Sequence, residues 1–384
     1  MKLLCKQLIP WRKPCTSITS CSERWPIRRS AQVVRPFTSH ARIGPTRSGS
    51  AVPSERRDSI SPGSWVDNDL LTLECEHAQL PSSVVTGDTG IEDGAIAAAQ
   101  AVARQWGVAC DEAEPLSGGS NVLVHLKPAP VVARVMTGTS MLHDDTERWL
   151  SREVAVAVFL AQRTDAVAAP SDLLPPGPHE RDGLWMTMWN FVAHDPQAAL
   201  PQAAALGRSL RDLHAALADF RGDLDPVSEI RDWLARLLAE LRPSSSMTYE
   251  DIEWLRFKLD ALTPAVFESS LRAQPLHGDV AISNLLSTGH GLVWNDLEDV
   301  CVGPVAWDVA GLVSSARARG QTEAFVEELL AAYGGPGVED LAAFLQAHTL
   351  YEVIWQASAG PDRPHAMKRA AASLARLRAT SEVI

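Results

Sequence analysis

The stretch that most constrains this chain runs from Leu276 to Ala310, LHGDVAISNLLSTGHGLVWNDLEDVCVGPVAWDVA. It sets polar residues into a region that otherwise reads as buried strand. His277, Gly278 and Asp279 come first, and Asn284 follows across a tight loop. Leu285–Leu286 and Leu292–Trp294 are the apolar arms of a hairpin, and Ser287-Thr288-Gly289-His290-Gly291 has the composition its turn needs. Asp296 sits on the far arm, so Asp279, Asn284 and Asp296 converge at one end of the hairpin. Glu298, Asp299, Gly303, Pro304, Trp307 and Asp308 complete the segment.

Such a constellation suits metal-assisted phosphoryl transfer. A transferred phosphoryl group needs an aligned nucleophile and screened oxygens, with little covalent help from the protein. Asp279 can accept or orient the proton of a substrate hydroxyl. Asn284 and Asp296 offer oxygen ligands, which suit magnesium better than nitrogen or sulfur would.

The pattern HGD-x4-N followed by D-x-E-D-x3-GP-x2-WD-x-A resembles the aminoglycoside phosphotransferase and choline-kinase-like group, relatives of the protein kinases. The resemblance implies an α+β, two-lobed protein-kinase-like fold, with a small antiparallel-sheet N-lobe and a larger, mainly helical C-lobe. It also implies ATP and Mg2+ as cofactors and transfer of the γ-phosphate to a hydroxyl of a small molecule. Asp279 is then the base or orienting residue, and Asn284 and Asp296 hold the metal. Asp308 is expected to hydrogen-bond the catalytic loop. Glu298 and Asp299 are candidates to contact metal or substrate, and neither is assigned to the site.

The remaining site residues come earlier in the chain. Gly118, Gly119 and Ser120 follow Pro115-Leu116 and run into Val122–Val124, where glycines let a backbone bring its N–H groups to phosphates. A Gly-Gly-Ser turn alone means a hairpin; in a kinase-like chain it resembles the nucleotide loop. Arg134, on the strand Val131–Val135, stands where the family most often carries lysine. Arginine binds phosphate through a fork rather than as a point charge. Glu153 lies inside the apolar stripe of a helix over Trp149–Gln162, and a carboxylate facing a core needs a partner. Arg134 is the expected one, as the resemblance also implies. Met188, on a strand over Gly183–Val192, is expected at the adenine ring by resemblance alone. Ala166–Asp172 reads as a further strand, and helices are expected over Ile91–Trp106, Ala203–Phe220 and most of the chain's second half.

Charge divides the chain. Residues 1–58 hold 12 Lys+Arg against 3 Asp+Glu, a net +9, so the rest carries −21 of the overall −12. An acidic body is poorly suited to nucleic acid and favours a cationic small-molecule substrate. Glu323, Glu327, Glu328, Glu339, Asp340 and Glu352 are candidates to line an amine pocket, and solvated helix faces explain them equally well. No apolar run reaches the length of a membrane helix, and the six cysteines form no CxxC pair, which fits a cytoplasmic protein with free thiols. The expected domains are a disordered basic extension over 1–66, a nucleotide-binding N-lobe over 67–190 and a helical C-lobe over 191–384. The extension overlaps organelle transit peptides in composition. Two other readings stay open: a nucleotide- or metabolite-binding pseudokinase without turnover, and a basic tail that tethers an acidic domain. Oligomeric state is not legible.

Overall fold

The structure, a computed structural model, describes residues 89–116, 121–137, 145–358 and 364–381. All of them belong to the second of two contact units, Asp69–Ile384. The expected 1–66 extension lies outside the described residues.

A helix α1 (Thr89–Gln105) precedes five strands: β1 (Cys110–Leu116), β2 (Val122–Pro128), β3 (Val131–Val135), β4 (His179–Arg181) and β5 (Leu184–Asn190). They form one antiparallel sheet in the order β1-β2-β3-β5-β4. Successive side chains of a strand face opposite ways, and here both faces have partners. Val124, Leu126, Val131, Ala133, Val135, Met186 and Met188 pack on the alanines of α1. Helix α2 (Thr146–Ala161) meets the other face, where Arg134 and Thr187 are register partners. The small α1 alanines (Ala95, Ala98, Ala99 and Ala103) let that helix lie close to the sheet.

Two strands escape the sequence pattern. Edge strand β1, CDEAEPL, is mostly polar and lacks the apolar alternation of a buried strand. Strand β4 reaches β5 through Asp182 and Gly183, both at positive φ (54° and 81°), as a two-residue hairpin of this hand requires. Conversely, Ala166–Asp172 is not a strand. It makes only isolated bridges, Val167 to Trp294 and Pro170 to Trp189. Pro170 has no N–H to give a ladder, so the segment crosses between two hairpins without joining either.

The rest is mainly helical: α3 (Ala203–Leu217), α4 (Ser228–Glu240), α5 (Tyr249–Val266), α6 (Ala306–Ala318), α7 (Glu323–Tyr333), α8 (Ala342–Ser358) and α9 (Pro364–Ser381). Between α5 and α6 lie two small antiparallel pairs, β6 (Ala273–Leu276) with β9 (Cys301–Pro304) and β7 (Leu285–Thr288) with β8 (Gly291–Trp294). Helix α6 is buried almost all round, from Ala306 through Val313 and again at Ala316. A helix without a solvent face has no amphipathic period to read. α3 and α7 approach closely at Gly207, where an added Cβ would stand 2.2 Å from the Leu329 carbonyl oxygen.

Gly207 and Gly94 therefore predict opposite outcomes in urea unfolding. Gly94→Ala, in α1 with nothing within 4 Å of the new Cβ, should stabilise the protein by about 0.5–1 kcal/mol. Gly207→Ala drives a methyl into backbone and should cost about 1–3 kcal/mol.

Candidate active site

The β6–β9 pair delivers two loops to one place. Strand β6 runs into His277-Gly278-Asp279, and Asp299 precedes β9. Gly278 sits at φ +90°, and a Cβ there would fall 1.8 Å from the Asp299 carbonyl oxygen. Only glycine lets the Asp279 and Asp299 backbones touch. Trp307 Nε1 donates to the Gly278 carbonyl at 2.7 Å. Buried Asp308 accepts from the backbone N–H groups of His277 (2.8 Å) and Gly278 (3.0 Å), and from His214 Nε2 at 2.9 Å. His214 continues to the Tyr333 hydroxyl at 2.9 Å. Burial pushes the Asp308 carboxyl up, but the His214 bond, followed by the charges of His214 and His277, outweighs it and holds the group below its usual range. Asp308 thus acts on the loop backbone.

Asn284 ends a turn of 3-10 helix, Ile282–Asn284, just before β7. Its Nδ2 donates to the Asp279 backbone carbonyl and to Asp279 Oδ2, both at 2.9 Å. The amide nitrogen is therefore occupied, which leaves Oδ1 as the oxygen available to a cation. Asn295 N–H donates to the Asn284 carbonyl at 3.1 Å, so Asp296 follows directly on the neighbouring arm. Asp296 takes φ +61°, the left-handed region that aspartate tolerates better than most residues.

From the other side, β3 supplies Arg134, which is 7% exposed. Its Nη2 meets Glu153 Oε2 of α2 at 2.7 Å. Its Nη1 meets Asp296 Oδ1 at 3.2 Å and also donates to Glu298 Oε2. Asn121 Nδ2 donates to the same Glu298 oxygen at 3.4 Å and accepts the Thr137 N–H on its Oδ1 at 3.3 Å. Arg134 Nε–H is buried with no acceptor among the described residues.

One guanidinium thus stands among Glu153, Asp296 and Glu298, with Asp279 and Asp299 close by. Burial, followed by the charge of Asp296, raises the Asp279 carboxyl. Asp299 is pushed up to about 8 by burial and then by the charges of Asp279 and Asp296. Glu298 is raised by burial, with Arg134 opposing. Too many carboxylates share too little positive charge, the condition a bound cation relieves. Among the described residues no three His, Cys, Asp or Glu side chains form a ready-made metal cage. Asn284 and Asp296 offer two oxygens, and the orphaned Arg134 Nε–H suits a phosphate oxygen. This donor set fits magnesium carried in on a nucleotide better than a bare ion.

Met188 is not brought to this site. It is fully buried against α1, on the sheet face opposite Arg134. Strand parity puts Thr187 and Trp189 on the Arg134 face instead, and that parity is legible once Arg134 is placed. Gly118, Gly119 and Ser120 lie outside the described residues. Of the C-terminal acidic candidates only Glu352 reaches the site; Glu327, Glu328, Glu339 and Asp340 are exposed, and Glu323 pairs with Arg317 at the surface.

A cavity of about 510 Å³ opens beside Asp279, Asp296 and Asp299. Glu229, Glu352, Trp233, Tyr351 and Trp355 also line it. Trp233 stands 5.4 Å from Tyr351 and 5.6 Å from Trp355, ring centre to ring centre. The sequence left these rings unmarked, because aromatics at helical spacing on α4 and α8 read as core. Arg152 and Arg236 line the cavity too, and Arg152 is tied to Asp225.

Residues 112–345, more than half the chain, match the model of the phosphotransferase enzyme family. The chain belongs to that family. Its fold is shared with solved kinases at low identity. A choline/ethanolamine kinase family protein from Mesorhizobium loti is 19% identical, with a TM-score of 0.52, over 76% of this chain and 95% of that one. A choline kinase from Streptococcus pneumoniae is 14% identical, with a TM-score of 0.53, over 72% and 99%. An amicoumacin kinase in complex with AMP-PNP, Ca2+ and Ami is 13% identical, with a TM-score of 0.55, over 72% and 92%. No curated protein matches the chain. The two-lobed protein-kinase-like α+β fold is therefore that of this phosphotransferase. Among its described residues, no helix is long and apolar enough to cross a membrane.

The raised carboxyls make a pH prediction for cation-free protein. A carboxyl raised on folding binds its proton more tightly in the native state, so stability is lost as pH climbs from its unfolded value through its folded one. With Asp299 at about 8, the thermal midpoint should fall between roughly pH 4 and pH 8. Asp308, held low, adds its own loss only in acid. Calorimetric melts across that range, with and without Mg2+ and ATP, check the trend and its reversal by the ligand.

Proposed function

We propose that this phosphotransferase moves the γ-phosphate of ATP, with Mg2+, to a hydroxyl group of a small cationic molecule in the cytoplasm. The observation that carries the reading is the joining of Asp279, Asn284 and Asp296 at one end of the β7–β8 hairpin, facing one buried arginine. Asn284 Oδ1 and Asp296 would hold magnesium, which supplies charge to screen the phosphate oxygens. Arg134 would hold the phosphates, and Glu153 fixes Arg134 from α2. Asp279 orients the acceptor hydroxyl and takes its proton. The Asn284 amide holds the Asp279 carboxylate in place through Oδ2. Gly118, Gly119 and Ser120 are proposed as the phosphate loop.

The cavity supports a cationic acceptor. Three half-buried rings line it, and a cation over an aromatic face gains about 0.5–2 kcal/mol. Asp299, Glu229 and Glu352 add carboxylates around the same space. The neighbours named for choline and ethanolamine are consistent with an amino alcohol.

The test is mass-spectrometric phosphotransfer from Mg-ATP over a panel of hydroxylated amines, sugars and antibiotics. The wild-type chain should phosphorylate one or more amine-bearing members. Asp279→Ala should lower that rate about 10²–10⁴-fold, the usual worth of a positioned acid–base group. ATP binding without any product would favour the pseudokinase reading, and absence of ATP binding would defeat the assignment.

A further inference from the structure

The family's usual lysine is arginine here, and the structure gives that exchange a partner. Arg134 presents its two terminal nitrogens to opposite sides. Nη2 meets Glu153 of α2, and Nη1 meets Glu298, on the loop between β8 and β9. Glu298 is itself 8% exposed, and the Asn121 amide holds its Oε2 from the start of β2. Asn121 in turn accepts the Thr137 N–H beyond β3. The chain of contacts runs from the helix, through the strand residue, to the loop that follows Asp296.

We propose that Glu298 is a positioning residue for Arg134 and not a ligand of the metal, so that Arg134 and Glu298 form a matched pair. This rests on the nucleotide-dependent reading above. A guanidinium is a rigid planar fork, and two carboxylates from different elements can each take one tine. An ammonium is a single point on a flexible stem and cannot hold both glutamates in that geometry. With Nη1 and Nη2 engaged, the fork's orientation is fixed, and Nε–H remains the donor without an acceptor among the described residues. Without Glu298 the fork keeps Glu153 and only the longer Nη1 contact to Asp296, at 3.2 Å, a carboxylate proposed to serve magnesium as well. Asn121 gives the same glutamate a second restraint, next to the segment that carries Gly118, Gly119 and Ser120.

The test is calorimetric titration of Mg-ATP into the full chain without acceptor, for wild type, Arg134→Lys, Glu298→Gln and the double variant. Magnesium titrations, each at ATP set to the same multiple of that variant's Mg-ATP Kd, and melts of the ligand-free proteins accompany it. Each single change should weaken Mg-ATP about tenfold, on the order of 1.4 kcal/mol. The double variant should be no weaker than the weaker single one, because one fork is lost either way. The magnesium midpoint should stay where it is in wild type, and in turnover KM for ATP should rise more than kcat falls. If Glu298→Gln does not fold, Asn121→Ala replaces it, with an expected loss of about threefold and the same magnesium midpoint. Multiplying penalties, or unchanged ATP affinity in the variants, would overturn the pairing. A magnesium midpoint displaced several-fold by Glu298→Gln would make it a metal ligand and overturn the proposal from the other side. A wild type that does not bind Mg-ATP would instead remove the phosphotransferase reading on which the pair depends.

Discussion

The charge imbalance around Arg134 is the constraint on which the site depends. A buried arginine paired with one glutamate is a closed arrangement. Here the same guanidinium also faces Asp296 and Glu298, with Asp279 and Asp299 behind them. Replacing one side of such a pair is expensive, about 3–5 kcal/mol, because the remaining charge stays buried. The fold therefore holds a concentration of negative charge that its own side chains do not neutralise. A folded protein carries that cost where function requires it, and a nucleotide with its metal brings both the missing cation and the phosphates that Arg134 can meet.

The rest of the architecture fixes how close those groups come. Gly278 lets the Asp279 loop touch the Asp299 backbone. Asp308 ties that loop to α6 through two backbone N–H groups and to α3 through His214. Helix α6 is buried on nearly every side, so Asp308 is anchored in the core and not at the surface. On the N-lobe side, α1 packs one face of the sheet and frees the other for Arg134 and α2. Catalytic geometry in this account is a consequence of two small β pairs set on a helical core.

How much of this was legible depended on the kind of signal. The Asp279–Asn284–Asp296 set and its hairpin could be read because spacing and turn residues agree. Glu153 declared itself as a carboxylate inside an apolar stripe, and the structure pairs it with Arg134. The helices α3 and α4 could be read from their amphipathic period. Helix α6 could not, since it has no polar face, and β1 could not, since an edge strand keeps polar side chains. Ala166–Asp172 has strand composition, yet its proline breaks the ladder. Met188 was placed by analogy, and the pleat turns it toward α1. Glu298 stood in the motif without a readable role, because its partner lies over 160 residues away across the fold. The aromatic wall of the cavity likewise exists only once α4 and α8 are side by side.

The central claim is that the acidic site accepts a nucleotide only together with its cation. Calorimetric titration of ATP into the full-length protein, with Mg2+ and then with chelator, tests it most directly. The account predicts one-to-one binding with Mg2+, accompanied by proton release near neutral pH as raised carboxyls ionise, and at least tenfold weaker binding without it. Equal ATP affinity in the presence and absence of Mg2+, or no binding in either, would contradict it.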